Sequence, residues 1–465
     1  MTPSDGPFSA RYRLITAGAV VLVFVAAFEN LAVTTVMPVI AEELDGAALY
    51  AVAFAAPLAA SVLGMVVSGL WCDRTGPRAP LALSIGLFFA GLVVAGLSPS
   101  MEAVVAGRLV QGLGSGATTV ALYVIVARVY PARLQPQVFG LFSAAWVIPA
   151  LIGPFIAGVI GETVGWRWVF LGVAAFVVPA ALMVAPAMRI LRQVQTDAAS
   201  RAAGQTARIL WAVLLAVAIL TLSVSTELEA ALGYPLAVVS FVVAVVALRP
   251  LVPRGTLTGR LGLPSVVSTR LLLAGGFFAT EIYLPYLLTS QHGFSPAVAG
   301  LALTVSGVFW GGASLLQGRL GARLGDRTSV RLGVTAVLLA VALVLVATAV
   351  GLPAWVVVAG WAVSGTGMGL AYPRLSVLVL AESNPGSQGF NSAALNIADA
   401  AGPAMSLAVA GILFQALGPA GAVAAFSAVF ALGLALTLLA LLVSRAVVSS
   451  DRSAERLETG KAPVG

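Results

Sequence analysis

The sequence predicts an all-α membrane protein of fourteen transmembrane helices: two six-helix bundles joined by two additional linking helices. Three observations carry this expectation. The composition is apolar with few charges, arginines mark alternate breaks between apolar runs, and the first six runs recur as the last six.

Of the 465 residues, 60% are hydrophobic and 9% charged, and the mean hydropathy is +1.03. A soluble domain carries about 25% charged residues, so the polar surface needed to dissolve this chain is missing. The net charge of +7 is no nucleic-acid footprint, because the arginines sit in short breaks between apolar runs. A lone Cys72 and a lone His292 exclude a disulfide framework and cysteine or multi-histidine metal sites. The first apolar run is too long for a cleavable signal peptide and reads as a first span.

A helix needs about 20 apolar residues to cross the hydrocarbon core. On that measure spans fall near 14–37, 49–71, 80–98, 102–126, 137–160 and 166–187. Two short ones follow near 209–226 and 231–248, then six near 268–289, 297–316, 331–350, 354–380, 389–415 and 420–444. The domains expected are a first bundle over 1–187, linkers and the two extra helices over 188–267, a second bundle over 268–444, and a disordered tail over 445–465.

Orientation follows from the arginines. They precede span 1 (Arg13), then follow span 2 (Arg74, Arg78), span 4 (Arg128, Arg133), span 6 (Arg189, Arg192), span 8 (Arg249, Arg254, Arg260), span 10 (Arg319 to Arg331) and span 14 (Arg445). With fourteen spans all of these fall on one side, which places both termini in the cytoplasm of a cell-membrane protein. The opposite breaks carry Glu42, Glu43, Asp45, Glu227 and Glu229, with Arg167 the exception.

The repeat is read at fixed offsets. Gly69, Arg74, Gly76 and Arg78 recur 249 residues later as Gly318, Arg323, Gly325 and Arg327. Gly107, Gly112, Gly114 and Gly116 recur 253 residues later as Gly360, Gly365, Gly367 and Gly369. Ala144-Ala145, Ile148 and Gly153-Pro154 recur as Ala393-Ala394, Ile397 and Gly402-Pro403. A parallel six-span duplication is a transporter architecture, with the substrate site near the midplane between halves.

The motifs themselves resemble those of the major facilitator superfamily, and more narrowly its fourteen-span drug:proton antiporter branch. Gly69-Leu70-Trp71-Cys72-Asp73-Arg74-Thr75-Gly76-Pro77-Arg78 is similar to the family's G-x-x-x-D-R-x-G-R-R loop, with Pro77 at a usually basic position. Arg108-Leu109-Val110-Gln111-Gly112 is similar to its R-x-x-Q-G motif, and Phe28-Glu29-Asn30 running to Met37-Pro38 to its span-1 signature. Pro149, Gly153, Pro154 and Gly158 match the span-5 motif that the family associates with export. The resemblance implies export of small lipophilic or cationic compounds by alternating access. It implies no cofactor, since a proton gradient supplies the energy, and partners limited to substrate, protons and lipid, with no nucleic acid and a monomer assumed.

Ionisable residues inside spans are costly and point to function or to a buried partner. Glu29, Arg108 and Glu281 lie ~13, ~9 and ~12 Å from the outer ends of their spans and can share one layer. Arg374 and Asp399 lie ~9 and ~14 Å from the inner ends and can form a second. Glu29 is expected to bind proton and cation in competition, or to form a structural pair with Arg108. Arg108 either tunes that acid or packs. Glu281 is a second proton site or a satisfied bundle residue near Thr280. Asp399 lies on a stripe with Ser392 and Asn396 that lines a cavity or bonds helices together. Arg374 snorkels or pairs with Asp399.

Gly69, Asp73, Arg74, Gly76 and Arg78 form a charged helix end that can latch one arrangement of the halves; the alternative is plain topology plus a glycine turn. Asn30, Trp146, Tyr286, Trp310 and Asn396 are candidates to line a cavity, against the ordinary reading of membrane aromatics as packing or interface anchors. Transport of a metabolite or lipid through the same architecture is the nearest alternative. A membrane-embedded enzyme needs a catalytic cluster at a loop, and ATP-driven transport a G-x-x-x-x-G-K loop; neither is present in the sequence.

Overall fold

The computed structural model describes residues 6–10, 12–131, 134, 138, 141–142, 144–190, 205–225, 228, 230–383 and 388–447. Among them the regular structure is helical throughout. The long helices are α1 Arg13–Glu43, α2 Tyr50–Thr75, α3 Arg78–Gly96, α4 Met101–Val129, α5 Val147–Thr163, α6 Arg167–Ile190, α7 Gln205–Val224, α8 Ala230–Leu248, α9 Leu263–His292, α10 Pro296–Leu324, α11 Asp326–Val350, α12 Ala354–Ala381, α13 Gln388–Leu417 and α14 Ala422–Val443.

Thirteen of these fourteen are long and apolar enough to span a membrane. The exception is α5, with 17 residues; its expected start near 137 falls in a stretch that is only partly described. The two short spans are helices of 20 and 19 residues, so the apolar runs there suffice. Helix ends follow local chemistry. Ser100 caps α4, its Oγ accepting from Ala103 N at 3.4 Å. Gly76 and Gly325 end α2 and precede α11 at φ 85° and 69°, a conformation that a Cβ disfavours, which is why both copies of the repeat hold glycine there.

The repeat is visible in the packing. In the first six helices α1 packs on α5 and α6, α4 on α2 and α3, and α3 on α6. The last six reproduce every pair: α9 on α13 and α14, α12 on α10 and α11, and α11 on α14. In lipid, apolar area gives little drive for helix association, so close backbone approach carries it. Gly112 and Gly116 of α4 face the Pro57 and Ser61 carbonyls of α2, where a Cβ would collide. Gly365 and Gly369 of α12 do the same against the Ser306 and Trp310 carbonyls of α10. The repeated glycines therefore perform the repeated contact.

The two bundles meet chiefly through two helix pairs that the internal symmetry exchanges, α5 with α10 and α2 with α13. Helix α7 lies against both α2 and α13, and α8 packs on α7. Among the described residues, the hydrogen bonds that cross the seam lie at the end away from the arginine-rich breaks. Tyr50 donates its hydroxyl to the Ile282 carbonyl at 3.0 Å, Gln415 donates to the Ala48 carbonyl at 2.9 Å, and Glu162 Oε1 accepts from the Ala297 amide at 2.6 Å. Arg167, the exception to the charge pattern, is neutralised at that same end: its Nη1 meets Glu43 at 2.7 Å and its guanidinium lies over Trp166.

Candidate functional site

Buried ionisable side chains mark three centres within the spans. In the first bundle Arg108 of α4 donates through Nη1 to Glu29 of α1, both side chains being 3% exposed. Arg108 Nε donates to the Ala53 carbonyl of α2 at 3.1 Å, and Nη1 also reaches Gln111 at 3.3 Å. The pair between Glu29 and Arg108, one of the two alternatives the sequence leaves open, is thus formed, with α2 as its third wall.

Glu281 of α9 is also buried, yet no cation pairs with it among the described residues. Thr280 turns its hydroxyl to the Gly276 carbonyl instead. The Trp361 indole lies beside the Glu281 carboxyl, and its N–H makes no hydrogen bond among the described residues. One turn below, Phe277 stacks on Trp361 at 4.9 Å and meets Trp310 edge-on at 5.6 Å, and Trp310 meets Tyr372 at 5.4 Å. The two acids lie at similar depth, as their positions along the spans suggest. Ala53 takes Arg108, while Tyr50, three residues and ~4.5 Å along the same helix, bonds the carbonyl next to Glu281.

The third centre differs from its expected form. Asp399 of α13 pairs with Arg270 of α9 rather than Arg374, through Nε at 2.8 Å and Nη2 at 2.7 Å. Tyr372 donates its hydroxyl to Asp399 at 3.0 Å, and its ring lies 3.4 Å below the Arg270 guanidinium. Arg374 does not meet Asp399. It donates to Asp326 at the start of α11 at 2.9 Å and to the Gln317 amide oxygen. Sequence reasoning passes over Arg270, although it lies inside an apolar run and meets the rule that singles out Arg374. Asp326 escapes notice because it stands four residues past Ala322, the position that aligns with Asp73.

The remaining candidates scatter. The Asp73 and Arg74 side chains lie outside the described residues, and Arg78 is exposed at the start of α3. Ser392 likewise has no described side chain, and Asn396 is half-buried one turn before Asp399. Asn30 is exposed, Trp146 is 45% exposed at the start of α5, and Trp310 is half-buried in the ring cluster. Tyr286 is placed away from the midplane, among Tyr50, Phe414 and Phe426 at the end where the bundles touch. Pro149, Gly153, Pro154 and Gly158 are all buried on α5. A Cβ on Gly158 would sit 2.5 Å from Ala297 Cα, and one on Gly300 of α10 2.7 Å from the Pro154 carbonyl. The motif is a backbone-to-backbone seam, and its partner glycine on α10 carries no signal in the sequence alone.

One acid just past the end of α12 is perturbed. Burial pushes Glu382 from about 4.5 up to about 7, and its Oε1 has no hydrogen-bond partner. Because its native affinity for protons is raised, its contribution to stability is full below pH 4.5 and fades as pH rises toward 7. Glu382→Gln is expected to leave the melting temperature unchanged at pH 4.5 and to raise it at pH 8. An equal effect at both pH values would contradict the burial.

Two matching helix bundles joined through a polar seam, with charge pairs buried between their helices, define a membrane transporter. The chain belongs to the Major Facilitator Superfamily, whose profile matches residues 19–280 and again 266–464. Over 380 residues it is 25% identical to the multidrug efflux pump SdrM of Staphylococcus aureus, covering 80% of this chain and 83% of that one. An uncharacterized transporter of Schizosaccharomyces pombe is 29% identical over 162 residues, 35% of this chain and only 28% of its own length. Among solved structures, a POT family transporter in complex with 5-aminolevulinic acid superposes with a TM-score of 0.64 at 17% identity, covering 92% of this chain and 96% of the other, which shows the shared fold.

Proposed function

We propose that the protein is a proton-coupled antiporter that exports small lipophilic or cationic compounds, with its arginine-rich face on the cytoplasmic side of the cell membrane. The observation that carries this reading is Glu281: a buried acid with no cation partner among the described residues, walled by Phe277 and Trp361. An ionised carboxylate is unstable in such a place without a counter-charge, so the site accommodates either a proton or a substrate cation. Those two ligands are mutually exclusive, and exclusion is what antiport requires. Glu29 is the second exchange point, since Arg108 stands in for a cation there in this arrangement. The efflux-pump relative and the glycine seam of α5 support export.

In everted vesicles, lipophilic cation uptake driven by an acid interior is expected to fall at least ~10-fold in both Glu29→Gln and Glu281→Gln, because each removes an exchangeable charge. Substrate-induced proton release should vanish in Glu281→Gln. Uptake and pH dependence that survive both changes would remove the basis for proton coupling.

A further inference from the structure

At the arginine-rich face, three arginines converge with no acid paired to them among the described residues. Arg327 and Arg331 stand one turn apart at the start of α11, and Arg445 follows the end of α14. Arg327 Nη2 is held on the Arg445 backbone carbonyl at 2.8 Å, which fixes the two segments together. Arg331 lies within electrostatic reach of both other guanidinium groups, and its Nε is buried with no acceptor. The acid nearest in sequence, Asp326, is engaged by Arg374.

This arrangement is unfavourable in three ways as it stands. Like charges four residues apart on a helix repel. Cations in the first turns oppose the positive end of the helix dipole. A buried donor without an acceptor forfeits its hydration. One bound anion relieves all three. The flanking surface indicates which anion: Leu332 beside Arg331 is 50% exposed, and Leu442 near Arg445 is 46% exposed. A charged notch bordered by apolar side chains on two helices matches a phosphate headgroup whose acyl chains run along α11 and α14.

We infer that Arg327, Arg331 and Arg445 form a binding site for the phosphate of an anionic phospholipid. The same chemistry would accept a free phosphate ion, so the experiment separates the two. Full-length protein in a zwitterionic detergent is melted with added phosphatidylglycerol, with phosphatidylcholine, and with inorganic phosphate at matched ionic strength. Phosphatidylglycerol at about tenfold its Kd is expected to raise Tm by roughly 2 °C, and phosphatidylcholine not at all. The rise should drop by at least half in Arg331→Gln and in the double variant Arg327→Gln/Arg445→Gln, whose two positions are exposed. Arg249→Gln, elsewhere on the same face, should keep it. If inorganic phosphate reproduces the full rise and the variants abolish it, the site stands but its ligand is the free ion. Equal stabilisation of wild type and both variants, or none of wild type, overturns the site.

Discussion

Arg108→Ala is expected to cost about 3–5 kcal/mol of stability and to abolish transport, because it strands Glu29 as an unpaired buried charge. The loss should appear as a lower melting temperature in detergent. Removing both charges tests the cause. The double variant Glu29→Gln/Arg108→Met should recover most of the stability, since a buried pair offers little net gain over apolar packing, yet remain inactive. If the double variant is as unstable as the single one, the stranded charge is not the reason. If it transports, the pair is structural and the exchange point lies elsewhere.

Gly158→Val is the second large effect. Any Cβ there meets the α10 backbone at 2.5 Å, and neither helix can yield as a flexible side chain would. Overpacking of this kind costs about 1–3 kcal/mol, and here it falls on the arrangement in which α5 and α10 touch. Since 1.4 kcal/mol is a factor of about ten in population, the seam should open ~10- to 100-fold more often. A cysteine placed at Ala297, buried against Gly158, reads this directly by its labelling rate in intact cells after Cys72 is replaced. Gly153→Ala, whose nearest neighbour is the Phe28 ring at an ordinary 3.5 Å, should change little. Identical labelling in both variants would mean that the seam does not separate at that end.

Span number is legible in the residues because the bilayer demands a set length of apolar chain, and arginine placement then orders the spans. The glycine pattern of α4 and α12 is legible for a similar reason. A residue without a side chain at a helix crossing is a local property that repeats with the fold. The Glu29 and Arg108 pair is also within reach, because depth along two spans limits which charges can meet. Depth alone fails for Asp399: Arg374 and Arg270 both lie on spans of the same bundle, and only the packing of α9 against α13 selects Arg270. Tyr372 is hidden for the same reason, being one aromatic among many until its ring lies beneath a guanidinium.

Membrane crossing, the division of the helices into two equivalent sets and the presence of Glu29, Arg108, Glu281 and Asp399 inside apolar runs are written in the chain's composition and spacing. Those are consequences of solvent: hydrocarbon tolerates neither free backbone groups nor isolated charges. Who pairs with whom is settled by packing in three dimensions: Arg270 with Asp399, Arg374 with Asp326, Gly158 against Ala297, and Glu281 with no cation among the described residues. Partner choice depends on the rotation of each helix about its axis, which side-chain packing sets and hydropathy does not encode.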